Sequence, residues 1–222
     1  TERKTKILKR FEAICRSKNY KENFNAKLLE EVTNIVENPN VLLVNFNKDY
    51  LKIPSEIITS TLQGHQRYFP LFDRKDRLTN YFLVVANKVD SKNFIKEGNK
   101  RVVEARLSDA KFFWDKDKSR NLIKQIGKLK TITFYDKIGT IYDKTQRLRK
   151  LAAFISDQLN INKEKTEIAA SICKSDLCSD LVGEYPELQG IMGKYFALAQ
   201  GFEEGVANSI SDHYLPTGLD SP

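Results

Sequence analysis

The chain has 222 residues, of which 41% are hydrophobic and 10% aromatic. That is enough to bury a core in one large domain or two modest ones and too apolar for a disordered polypeptide. No apolar run approaches the ~18 residues of a membrane span. The net charge of +8 is uneven: residues 96–150 hold 16 Lys/Arg against 7 Asp/Glu, whereas residues 151–222 hold 4 against 11. In chain order, "ERKTKILKRFEAICRS" (2–17) places Ile7, Leu8, Phe11, Ile14 and Cys15 at helical spacing. Asn25-Ala26-Lys27 leads into a second helix, "LLEEVTNIVENP", stopped near Pro39. "NVLLVNF" (40–46) reads as a buried strand. Pro54-Ser55-Glu56 opens a short helix with Ile57, Ile58 and Leu62 inward. "QRYFPLFD" (66–73) and "LTNYFLVVAN" (78–87) form a hairpin-like strand pair across "RKDR".

After Asn93 the pattern reads as helical to the end. The expected helices cover 95–118, 121–132, 141–159 (ended by Asn160), 162–185 (opened by an Asn cap), 191–201 (stopped at Gly201) and 203–216. The fold class is therefore α+β: a mixed α/β region over residues 1–94, including the N-terminal helix, followed by an all-α helical domain over 95–222. The switch near residues 88–98 is the expected boundary. The charged start Thr1-Glu2-Arg3-Lys4 leads into Ile7-Leu8 with no signal-peptide core behind it, and no initiator Met stands at its head. The tail Leu219-Asp220-Ser221-Pro222 reads as a stop within a loop, so a piece of a longer protein is expected.

The chemistry-bearing residues are few. Cys15, Cys173 and Cys178 are odd in number and lack framework spacing, which points to buried free thiols in a reducing compartment. The two histidines are His65 and His213, and His65 has no nucleophile in its own segment. No GxxxxGK[ST], GxGxxG or CxxC occurs, and Asp73, Asp76 and Asp90 read as solvated loop carboxylates. No catalytic residue and no metal ligand is assigned.

Two groups of residues suit nucleic acid instead. In "LQGHQRYFPLFD", His65, Arg67 and Tyr68 bring cationic, polar and aromatic groups to one spot, as RNA phosphates and stacked bases require. The alternative is a helix end with Tyr68 and Phe69 alternating between core and surface. On the 95–118 helix, Lys100, Arg101, Arg106 and Lys111 offer cations that would track a phosphate backbone. The alternative there is a solvated helix with Glu104 bridging locally.

Several stretches together resemble one family. "GHQRYFPLFD", "NKV" (87–89), "EGNKRVVEARLSDAKFFWDKDK", "LKTITFYDKIGTIYDKTQRL", "DLVGEYPELQGIMGKYFALAQGF" and "HYLP" are similar, in order and spacing, to the bacterial glycyl-tRNA synthetase beta subunit family, over nearly all the chain past about residue 28. The resemblance implies a cytoplasmic enzyme that joins glycine to tRNA. ATP and Mg are used at the separate alpha subunit, and no cofactor is expected in this fragment. It implies tRNA(Gly) and the alpha subunit as partners in a larger hetero-oligomer, with no membrane association. It also implies an editing-like (B3/B4-like) N-terminal region and a helical domain similar to the HD metal-phosphohydrolase fold.

An HD centre uses an adjacent His-Asp pair, but here Asp176 follows Lys174-Ser175 and no histidine lies between His65 and His213. The expectation is an HD-like frame without that chemistry, with Asp176 and Asp180 sharing a helix face. "CSDLVGEYPELQGIMGKYFALAQG" (178–201) then reads as a helix junction forming a packing or docking surface, with Gly190 and Gly193 allowing close approach. The rival readings are a metal-dependent phosphohydrolase domain and a purely structural spacer.

Overall fold

In a computed structural model, which describes residues 2–216 and 218, helix α1 (Glu2–Lys18) buries Ile7, Phe11, Ile14 and Cys15 on one stripe. Helix α2 (Ala26–Ile35) begins where the Asn25 side chain accepts from the Leu28 amide at 3.1 Å. Strands β1 (Asn40–Asn45), β2 (Phe69–Phe72) and β3 (Leu78–Ala86) form an antiparallel sheet in the order β1-β3-β2. Alternation along β3 divides the packing. Leu83 joins α1, α2, Val41, Phe69 and Leu71 in one buried cluster, while Phe82, the residue before it, stacks against Phe46 and Tyr68. Helix α3 (Ser55–Ser60) widens into a π turn over Thr61–His65.

Helix α4 spans Phe94–Asp117. The chain divides into two compact units, residues 1–111 and 112–222, with the division falling inside this helix. Val103, Leu107 and Ala110 of α4 are fully buried.

The 112–222 unit departs from the expected helical pattern in three places. The helix expected over 121–132 is a single turn, α5 (Leu122–Gln125), followed by a 3-10 turn at Ile126–Thr131. A two-stranded hairpin, β4 (Thr133–Tyr135) with β5 (Gly139–Thr140), then interrupts the helices, so the unit is not all-α. Helix α6 (Ile141–Leu159) starts on a capping box in which Thr140 and Asp143 satisfy each other's backbone amides. It ends at Asn160, whose φ of 53° is the left-handed conformation an Asn tolerates. Helix α7 (Lys163–Ile172) is capped by Asn162, and this short connection folds it back along α6 as a helical hairpin.

The helix expected over 162–185 stops at Ile172. Lys174 leaves the helical region, a 3-10 turn covers Ser175–Cys178, and Ser179 starts helix α8 (Asp180–Glu184). The Ser179 hydroxyl donates to the Asp176 carbonyl at 2.7 Å and accepts from the Val182 amide at 3.1 Å. Such local side-chain bonds offer the backbone an alternative to continuing the helix. Helices α9 (Ile191–Ala199) and α10 (Glu204–Asp212) complete the unit. No described helix is long and apolar enough to cross a membrane.

Candidate nucleic-acid interface

The π turn after α3 delivers the chain to Arg67, a non-glycine residue at φ 59°. The turn is closed by the Tyr68 amide donating to the Leu62 carbonyl at 2.8 Å. His65 is exposed. Arg67 is exposed too, yet its guanidinium donates to the Gly64 carbonyl and meets Glu31 at 2.5 Å. An ion pair this open to solvent contributes under about 1 kcal/mol, so it holds Arg67 in place without removing its charge from the surface. Tyr68 is half-buried: its ring stacks on Phe82 at 5.4 Å and its hydroxyl donates to Asn99. Burial raises its pKa above the ordinary phenol value. His65 and Arg67 are thus surface groups, whereas Tyr68 also serves the packing of the sheet.

The four cations of α4 do not form one row. At about 100° per residue, Lys100, Glu104, Leu107 and Lys111 share a face, while Arg101 and Arg106 point roughly 140° apart. That shared face includes buried Leu107, and Glu104 accepts from the Asn47 amide at 3.0 Å. Lys100 and Lys111 therefore flank the buried stripe as half-buried side chains, and Arg101 and Arg106 are the exposed pair.

A basic and aromatic surface lies further on, in the β4–β5 hairpin and the start of α6. Tyr135 is 63% and Phe134 40% exposed. The Lys144 ammonium sits 4.1 Å from the Phe134 ring centre, and Lys130 sits 4.8 Å from that of Tyr142. Each such pair contributes about 0.5–1 kcal/mol at an exposed site, so the rings are steadied but remain open to a base. Sequence reading absorbed these residues into a basic segment and missed the hairpin, because its strands span only three and two residues. The signal available was "TFYDKIGT", two aromatics and a turn-forming Asp-Lys before a glycine.

The 174–193 segment is a structural junction. Asp176 is 1% exposed, and its Oδ2 accepts from the Gly190 amide at 2.5 Å and the Gly193 amide at 3.2 Å. It thereby caps α9 from a distant loop, where Gly190 itself offers no side chain. Burial raises the Asp176 pKa, against the opposing pull of the two amides. A Cβ on Gly193 would lie 2.6 Å from the Ile210 side chain and 3.0 Å from Asp176 Oδ2, so only glycine permits this approach.

Asp180 does not share a face with Asp176, since the broken helix puts them in different elements. It pairs with Lys116 at 2.6 Å and Arg120 at 2.9 Å, and the Lys116 hydrogen bond in particular lowers its pKa. Arg120 also meets buried Asp117 at 2.8 Å, while Gln200 bridges the Leu122 amide and the Arg120 carbonyl. Among the described residues, no three His, Cys, Asp or Glu side chains gather as a metal-binding group. Cys15 and Cys173 are buried free thiols whose pKa burial pushes up to about 11, and Cys178 is half-buried.

Comparison with known proteins puts the chain among components of aminoacyl-tRNA synthetases, which are ligases. The profile of the family described as Glycyl-tRNA synthetase beta subunit matches residues 1–222, and the chain belongs to that family. It is 43% identical to the "Glycine--tRNA ligase beta subunit" of Thermodesulfovibrio yellowstonii over 98% of this chain and 32% of that protein. It is 44% identical to the protein of the same name from Janthinobacterium sp. (strain Marseille), over 85% of this chain and 27% of the relative. The corresponding Listeria monocytogenes protein is 40% identical over 99% of this chain and 33% of the relative. The chain thus spans about a third of the length of the curated relatives it matches.

Proposed function

We propose that this chain is the part of a glycine–tRNA ligase beta subunit that lends tRNA-binding surface to the assembled enzyme. In this reading the full protein works with an alpha subunit in the cytoplasm to glycylate tRNA(Gly). ATP and magnesium act at the alpha subunit, and no residue of this chain is assigned to either. The carrying observation is the exposed basic and aromatic surface of the β4–β5 hairpin and the start of α6, in a chain whose family is named for a tRNA ligase subunit. Arg101, Arg106 and the lysines at 100 and 111 supply charge for phosphates. Phe134 and Tyr135 supply faces for unstacked bases. His65 and Arg67 form a smaller patch after the π turn, a rare helix form often found at functional sites. The helical unit is read as an HD-like frame used for binding rather than phosphoester hydrolysis, and residues 1–94 as an editing-like region.

A salt titration of tRNA binding tests this. Phosphate contacts make log affinity fall linearly with log salt, by about 0.7–0.9 per contact. The variant with Lys100, Arg101 and Arg106 all changed to Glu should bind at least about tenfold more weakly, with a slope shallower by about 1–2, since the diverging side chains cannot all meet one backbone. Unchanged affinity in a folded variant removes α4 from the interface. No binding of the parent chain at moderate salt leaves the structural-spacer reading.

A further inference from the structure

Helices α6, α7 and α10 border an open groove of about 690 Å³. Its floor is the outer face of α7, where Thr166, Ala169, Ala170 and Cys173 repeat at helical spacing as small side chains. One wall is α6, with Leu148, Leu151, Ala152 and Ile155. The other is α10 and its end, with Ser209 and His213. The apolar wall is open to solvent and runs one turn past the groove: Leu151 is 55% and Ile155 42% exposed within it, and Leu159, beyond it on the same α6 face, is 64% exposed. A row of exposed Leu and Ile over about two turns is longer than a small ligand needs, and small floor residues let another backbone approach closely.

The two ends of the groove differ. At the start of α6 and the end of α7, Lys144, Lys174 and His213 come together. Lys174 is only 8% exposed. Among the described residues its ammonium makes no hydrogen bond or ion pair; it lies over the Tyr214 ring, 3.6 Å from the centre, and feels the Asp176 charge only at longer range. The neighbouring carboxylate, Asp176, does not line the groove and is occupied by the Gly190 and Gly193 amides. Burial lowers the Lys174 pKa; Cys173 and Asp176 oppose that, and the Lys144 charge adds to it. Desolvation and Lys174 likewise lower the pKa of His213. A buried cation beside a second cation and facing an apolar trough is stabilised by an incoming carboxylate.

We propose that the groove between α6, α7 and α10 is a docking site for an amphipathic helix of a partner protein, with its apolar face along α6 and α7 and a carboxylate at one end meeting Lys174. Helix-in-groove binding reads apolar anchors at i, i+3/i+4 and i+7, which the α6 wall matches. The charged end fixes the direction of the docked helix.

The test uses the 222-residue chain and a stapled, fluorescein-labelled helical peptide of about four turns, with leucines on one face and two glutamates at one end. Saturable anisotropy binding is expected. The same peptide with lysines in place of the glutamates should bind about tenfold more weakly. Lys174→Met should weaken the glutamate peptide and leave a glutamine version unchanged. Ala169→Trp should abolish binding by filling the floor. Leu151→Asp, at an exposed position that the fold does not require, should weaken it without unfolding the chain. The proposal is overturned if no peptide binds saturably, if binding survives both Ala169→Trp and Leu151→Asp, or if the lysine peptide binds best. It is also overturned if sedimentation shows a dimer of this chain that Leu151→Asp dissociates, since the groove then belongs to a second copy.

Discussion

Asp176 does for α9 what a Ser or Asn normally does from the residue next to a helix, but from a turn fourteen positions earlier. Replacing it by Ala strands two buried amides, at a cost of about 2–4 kcal/mol, readable by chemical denaturation. Asp176→Asn keeps an acceptor for the amides and should cost less. Because burial raises the Asp176 pKa, the folded chain holds this proton more tightly than the unfolded one. Its contribution to stability is present at low pH and is lost as pH rises through the raised value. The melting temperature of the parent chain should therefore gain on that of Asp176→Asn between about pH 7 and about pH 4. A constant difference between the two would show that the carboxyl does not titrate with folding. The aspartate itself is visible in the sequence, but its burial is not: the amides that hold it, at Gly190 and Gly193, are supplied by a segment 14 to 17 residues away.

At the scale of elements, the β4–β5 hairpin joins a structural role to the proposed binding role. Thr133 pairs with Thr140, and Thr140 then caps α6, so the turn sets where that helix begins. Its exposed rings contribute little to the core. Phe134→Ala with Tyr135→Ala should leave the melting temperature nearly unchanged and weaken tRNA binding by about 1–3 kcal/mol per lost base stack. If tRNA affinity holds with both rings gone, the hairpin is outside the interface. Helices with polar caps were legible from sequence: Asn25, Asn162 and Asn160 mark three ends by chemistry that acts within a few residues. The break after Ile172 was not, since apolar spacing runs on through Cys173, Leu177 and Leu181 while Ser179 redirects the backbone. Lys100 and Arg101 were legible as charges. Their divergence around α4 follows from where Leu107 packs, which composition does not record.

At the scale of the whole molecule, charge separates along the chain, with the basic surplus in residues 96–150 and the acidic surplus in 151–222. Helix α6, from the basic stretch, packs along α7, from the acidic one, so on the proposed reading the cations of the β4–β5 hairpin and α6 would meet phosphates beside carboxylates, and binding should weaken steeply with salt. On the proposed reading, purified chain mixed with glycine, ATP and tRNA should form no glycyl-tRNA. Addition of the full beta and alpha subunits should restore the reaction, measured by acid-precipitable labelled glycine. Product made by this chain alone would defeat that division of labour.

Trp114 is the only tryptophan of the chain, and it stacks on Phe196 at 5.6 Å with Tyr195 edge-on at 6.2 Å. Red-edge excitation therefore interrogates residues 112–222 and is blind to the sheet. The molecule carries its own optical reporter: melting of the helical unit can be followed by indole emission, with no label attached, while circular dichroism follows both units together.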